Sequence, residues 1–119
     1  MKAVSEFVAN LNEVFVRFGQ IEAKRMFGGY GVYRDGLMFA LVADDVLYLK
    51  ADEITVGHFV EAGLPPFDYA KGGKRIRMSY YAAPDEIFDD PEQAREWAYR
   101  AWEAALRANR AKAARANKE

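Results

Sequence analysis

Three glycines in four positions, Gly28, Gly29 and Gly31, enclose Tyr30, follow the basic pair Lys24-Arg25 and lead into an apolar run that ends at Val42. Glycines cradle phosphate when their backbone N–H groups face a ligand at the start of a helix. Spacing tests this directly. A P-loop needs a lysine and a hydroxyl straight after its last glycine, but Val32 and Tyr33 follow Gly31. A dinucleotide fingerprint must open a helix, but Val32-Tyr33 is β-forming. The run Met26-Phe27-Gly28-Gly29-Tyr30-Gly31 therefore reads as a strand–bend–strand motif, where glycine permits a bulge or a close backbone approach. Asp35-Gly36 extends it with a turn suited to positive φ. No cofactor is expected on this motif.

The remaining reactive side chains lack partners at useful spacing. His58 is the only histidine and there is no cysteine, so multi-histidine and thiolate metal sites are excluded, as is thiol catalysis. Carboxylates come in adjacent pairs, Asp44-Asp45, Asp52-Glu53, Asp85-Glu86 and Asp89-Asp90. They lack calcium-loop spacing and read as turn and helix caps. Ser79 has no Gly-x-Ser-x-Gly elbow and reads as a strand serine between Met78 and Tyr80. No catalytic, metal-binding or cofactor-binding residue is assigned, and the chain is read as non-enzymatic, with a small-molecule-binding domain or an enzyme of unknown type as the alternative if a pocket opens between sheet and helices.

The elements that carry these residues follow from periodicity. Val4, Phe7, Val8, Leu11, Val14, Phe15 and Phe18 space a helix over 3–18, closed by Gly19. Lys24–Phe27 is a short run. A meander of three strands follows, through Val32-Tyr33, Leu37–Val42 and Val46–Lys50, with turns at Asp35-Gly36 and Asp44-Asp45. A short helix is expected over 53–62, ended by Gly63 and Pro65-Pro66. Two strands, Phe67–Tyr69 and Arg75–Tyr81, flank a hairpin tip at Lys71-Gly72-Gly73-Lys74. Asp90 as N-cap, Pro91 at N1 and Gln93 at N3 start the last helix. The order α-β-β-β-α-β-β-α implies an α+β domain over 1–106 with an antiparallel sheet of about five strands. Residues 107–119 form a basic helical tail expected to fray.

Of 119 residues, 51% are hydrophobic and 14% aromatic, enough for one unstapled core. The N-terminal stretch has no continuous apolar segment and no run nears the ~20 residues of a membrane span, so the protein is read as cytoplasmic. The net charge of −1 hides an asymmetry. Residues 1–106 carry 12 Lys+Arg against 17 Asp+Glu, while 107–119 carry five Lys+Arg and one Glu. An acidic body argues against a general nucleic-acid surface. Two local exceptions are the hairpin with Lys71, Lys74, Arg75 and Arg77, and the tail with Arg107 and Arg110. Tyr30, Tyr33, Tyr48, Tyr69, Tyr80 and Tyr81 fall mostly on strands. An outward aromatic sheet face could bind RNA or bury itself against protein, including a second copy. The acidic body favours a protein partner.

Read as a set, Arg25–Asp52, the stretch 63–91 and the helix with Trp97 resemble the N-terminal domain of the TfoX/Sxy family of competence regulators. The motifs that carry the resemblance are Met26–Gly31, Asp35-Gly36, Leu47–Lys50 and Met78–Tyr80. The resemblance covers about residues 12–106. It implies an α+β, secretion-chaperone-like fold and a non-enzymatic role in transcription of DNA-uptake genes alongside the cyclic-AMP receptor protein. It also implies that full-length relatives carry a second, helical C-terminal domain where this sequence has only its basic tail, so a stand-alone interaction domain is expected.

Overall fold

A computed structural model of the chain describes residues 5–26, 28–71 and 74–117, with side chains described except at 69–78 and 117. Phe27 and the hairpin tip Gly72-Gly73 lie outside the described residues. Helix α1 (Glu6–Val14) begins where the Ser5 hydroxyl accepts a hydrogen bond from the Val8 N–H at 3.2 Å. It ends sooner than the periodicity to Phe18 suggests. Tight turns replace the last coil, with Phe18 and Gly19 both donating to the carbonyl of Phe15. They keep Phe15 and Phe18 buried against Phe39.

The sheet has six strands, not about five. They are β1 (Glu22–Met26), β2 (Gly29–Arg34), β3 (Leu37–Ala43), β4 (Val46–Lys50), β5 (Pro66–Lys71) and β6 (Lys74–Ala82), all antiparallel, in spatial order β1-β2-β3-β4-β6-β5. The added strand is the Lys24–Phe27 run. Gly28 at φ +79° turns it back so that Met26 pairs with Gly29. The next two connections also have two residues each. Asp35 and Gly36 sit at φ +51° and +77°, and Asp44 and Asp45 at +52° and +58°. Two successive positive φ values twist the turn in the same sense as the strands it joins.

All three helices pack on one sheet face. Helix α2 (Val56–Glu61) is shorter than the expected 53–62, and Gly63 at φ +71° closes it. Asp52 supports the turn before it, its Oδ1 accepting from the N–H groups of Ile54 and Thr55 at 3.1 Å each. A short 3₁₀ turn over Asp85–Phe88 was not signalled by the sequence. Helix α3 (Pro91–Asn117) starts as expected, with Asp90 Oδ1 accepting from Glu92 N–H at 3.0 Å and Gln93 N–H at 3.3 Å. The Gln93 amide turns to Glu96 rather than back toward the cap. The helix is continuous to Asn117 and is exposed from Ala108 to Ala116.

The core lies between helices and sheet. Phe15, Phe39, Phe59, Leu11, Leu49, Ile87 and Val32 are its largest fully buried side chains. Burying each stabilises the fold by about 1.5–3 kcal/mol before conformational entropy is counted. Arg34 fastens α3 across the end of β2. Its guanidinium lies 4.5 Å from the Phe18 ring, 5.2 Å from Tyr99 and 4.6 Å from Trp102, and the Trp102 indole donates to the Arg34 carbonyl at 3.2 Å.

Candidate functional site

Strand register decides what the second sheet face presents. Residues paired across neighbouring strands share a face, and faces alternate along a strand. Val32, Ala40, Val42 and Leu49 belong to the core on the helix side. The intervening residues, Gly31, Leu41 and Tyr48, which stand opposite one another, therefore face away from the helices. So do the pairs Met26–Gly29, Tyr33–Met38, Ala43–Val46 and Lys50–Tyr80. A β-bulge at Phe39 places it and Ala40 both inward and resets the alternation.

This helix-free face is apolar and partly self-covered. Leu41 is 6% exposed and Tyr80 7%, although no helix lies over them. Burial pushes the Tyr80 phenol up to about 12, with the nearby Tyr33 adding to the effect. The Tyr48 and Phe67 rings meet 4.8 Å apart, and Ala82 is the residue paired with Tyr48. A cleft of about 450 Å³ opens beside them, lined mainly by Met26, Gly29, Leu41, Val46, Tyr48 and Phe67, with Asp44 and Asp68 contributing carboxylates. Val46, at the mouth, is 41% exposed.

Two glycines leave the backbone of this face bare, Gly29 in the lining of the cleft and Gly31 next to it in β2. A Cβ on Gly29 would lie 2.1 Å from the Val42 carbonyl oxygen. At Gly31 it would meet the Met26 sulfur at 2.8 Å and the Met38 sulfur at 3.0 Å. Glycine thus allows close strand approach at one site, and at the other lets two flexible thioethers lie across the sheet. Of the residues singled out in the sequence, Met26 and Gly29 line the cleft, and Gly28 both lines it and turns the hairpin. Gly31 underlies the two thioethers. Tyr30 packs toward the core instead, and Asp35-Gly36 turns the chain at the far end of β2. Met38, Leu41, Val46 and Phe67 were not singled out. For Met38 and Leu41 the signal was present in β3, whose continuous apolar run makes the face away from the helices apolar as well as the core face.

A second polar cluster lies where β4 ends. Arg107 donates to Asp52 through Nε at 2.6 Å and Nη2 at 3.2 Å, a two-point pairing. This pairing, aided by backbone hydrogen bonds, holds the Asp52 carboxyl below its usual range, and Arg107 is raised in turn. Lys50 donates to the Ser79 hydroxyl at 3.0 Å and lies 5.2 Å from the Tyr80 ring. Burial lowers the Lys50 ammonium despite nearby Asp52. A lysine that donates to a serine does not remove its proton, and neither residue lines the cleft, so the pair acts as a strap between β4 and β6. His58 stacks edge-on with Trp97, with ring centres 6.4 Å apart. Among the described residues no group of three His, Cys, Asp or Glu could hold a metal, and no helix is long and apolar enough to cross a membrane. Of the basic residues singled out, Arg107 is engaged by Asp52 and Arg110 is exposed on α3. Lys71, Lys74, Arg75 and Arg77 take backbone positions in β5 and β6, with side chains outside the described residues.

The family model of the TfoX N-terminal domain matches residues 13–105, from within α1 through the packed part of α3. The chain belongs to the TfoX N-terminal domain family. It is 29% identical over 89 residues to protein Sxy of Escherichia coli K12, covering 74% of this chain and 43% of Sxy. It is 29% identical over 86 residues to DNA transformation protein TfoX1 of Aliivibrio fischeri, covering 69% and 41%. To DNA transformation protein TfoX of Haemophilus influenzae it is 32% identical over 71 residues, covering 58% and 33%. The matched part of the TfoX N-terminal domain thus spans less than half the length of these curated relatives.

Proposed function

We propose that this TfoX N-terminal domain works by protein contact, as a non-enzymatic cytoplasmic co-regulator of transcription in the DNA-transformation context that its relatives' names indicate. The observation that carries this reading is the apolar sheet face left free of helices, with its cleft of about 450 Å³. Large uncovered apolar surface marks an interaction site. Its size selects the occupant. Five strand spacings of about 4.8 Å by about five residues of 3.4 Å give a flat area of about 400 Å². Each partner in a standard interface buries about 800 Å². A single segment of a partner suits this face better than a second copy does. Methionines adapt to irregular apolar side chains, and exposed Asp44 at the cleft favours a segment with a cation beside its apolar anchor.

The test is capture of the tagged chain from its own cells, in parallel with Val46→Glu. Val46 is exposed, so the fold should tolerate the change. Transcription proteins recovered with the parent chain and lost from the variant, with unchanged thermal unfolding, are the expected result. Equal recovery by both overturns the reading. A dimer in light scattering that Val46→Glu dissociates would assign the face to a second copy.

A further inference from the structure

Both basic segments of this acidic protein leave the body at the same corner. Arg107, the last α3 residue fixed to the body, is held by Asp52. Two residues earlier, Lys50 pairs with Tyr80 in the last step of the β4–β6 ladder, and Ala51 donates to the Ser79 carbonyl. Beyond that step β6 continues backward to Lys74 with only β5 beside it. The β5–β6 arm, with Lys71, Lys74, Arg75 and Arg77 along its register, therefore projects past the end of β4. From the same corner α3 continues as a free helix over 108–117. The opposite end of α3 is acidic, with Asp85, Glu86, Asp89, Asp90, Glu92 and Glu96 before or within its first two turns.

We propose that this corner binds the phosphate backbone of duplex DNA, with the free end of α3 and the β5–β6 arm as its two contacts. Charge complementarity identifies the occupant. No Asp or Glu occurs from Ala104 to Asn117, while Arg110, Lys112 and Arg115 are exposed. At 100° per residue these three spread around the helix instead of forming one stripe. Apart from these three, residues 108–117 are alanine and asparagine, with no large apolar side chain for a protein partner to bury. A helix about 10 Å across with such small side chains fits a major groove about 12 Å wide, with phosphates on both sides. Ten residues extend it about 15 Å. Arg107, tied to Asp52, anchors the helix and is not counted among the contacts. The acidic opposite end repels phosphate and orients the approach.

Fluorescence anisotropy of the full chain with a labelled mixed-sequence duplex, titrated with salt, tests this. Each neutralised phosphate adds about −0.9 to the slope of log K against log salt, so a slope of about −3 to −5 is expected. Arg110→Gln/Lys112→Gln/Arg115→Gln should weaken binding at least tenfold and reduce the slope by about 2–3. Lys71→Gln/Lys74→Gln/Arg75→Gln should act in the same direction. The control Arg17→Gln/Lys24→Gln/Arg95→Gln has the same net charge and should bind like the parent. The side chains of Arg17, Lys24, Arg95, Arg110, Lys112 and Arg115 are all exposed, so circular dichroism of these two variants should be unchanged. Absence of binding at low salt overturns the proposal. So does equal weakening by the control, which would make the effect one of net charge. Competition by polyglutamate as strong as by unlabelled duplex, at matched charge, would move the site to an acidic protein.

Discussion

Replacing Gly29 with alanine puts a methyl group where the β2–β3 ladder has no room. Its Cβ would lie 2.1 Å from the Val42 carbonyl oxygen. Carbon approaches such an oxygen to about 3.3 Å, so the strands must part locally by about 1.2 Å. The obstacle is backbone and cannot rotate aside. The neighbouring pairs Tyr30–Val42 and Gly31–Leu41 must stretch. Two weakened ladder bonds at about 1 kcal/mol each, plus strain, put the destabilisation at about 2–4 kcal/mol. Gly31→Ala is the internal comparison. There the new Cβ meets Met26 and Met38 sulfurs and the Tyr33 ring edge, at 2.8, 3.0 and 3.0 Å. The flexible thioethers can swing away, so about 1 kcal/mol is expected. Urea unfolding followed by tryptophan fluorescence and circular dichroism measures both. A Gly29→Ala protein within about 0.5 kcal/mol of the parent, or no less stable than Gly31→Ala, would refute the close-approach argument.

Other perturbations have equally definite signs. Asp45→Gly removes a side chain from φ +58°, and a gain of about 0.5–1 kcal/mol should appear as a higher thermal midpoint. Asp52→Asn should cost about 1–2 kcal/mol near neutral pH, where the carboxylate holds Arg107 and two backbone N–H groups. Because folding lowers the Asp52 pKa, its contribution is complete above the ordinary value of 3.8 and is lost as pH falls through the folded value. The gap between parent and variant in urea titrations should therefore narrow as the pH is taken below 3.8. Tyr80 works in the opposite sense. With its pKa raised to about 12, the stability linked to its neutral phenol is complete below about pH 10 and is lost between there and about pH 12. An ultraviolet pH titration should lose its last tyrosine step in Tyr80→Phe.

The sequence was informative where local chemistry decides structure. Asp35-Gly36 adopts the positive φ angles that its turn signal implied, and Asp90-Pro91 starts α3. The run Glu22–Met26 has no strong strand pattern. It becomes β1 because a glycine turn returns it to β2, which tertiary pairing decides. The tyrosines show a similar division. Tyr33, Tyr48 and Tyr80 face away from the helices while Tyr30 and Tyr81 pack toward the core, and only register and the Phe39 bulge separate them. The Asp52–Arg107 pair links residues 55 apart, a distance at which periodicity carries no signal.

Four of the five strand pairings join consecutive strands through two-residue connections, and β4 with β6 is the exception. The meander over 22–50 contains only local pairings and can form early, before the loop that carries α2 has closed. The β5–β6 hairpin docks afterwards along a seam of three residue pairs, Tyr48–Ala82, Leu49–Tyr81 and Lys50–Tyr80. Hydrogen bonds from Ala51 to Ser79 and from Ala83 to Leu47 finish it at either end. That short seam is where cooperativity between the two halves of the sheet resides. Its amides should report sub-global opening in hydrogen exchange before those of β2 and β3 do.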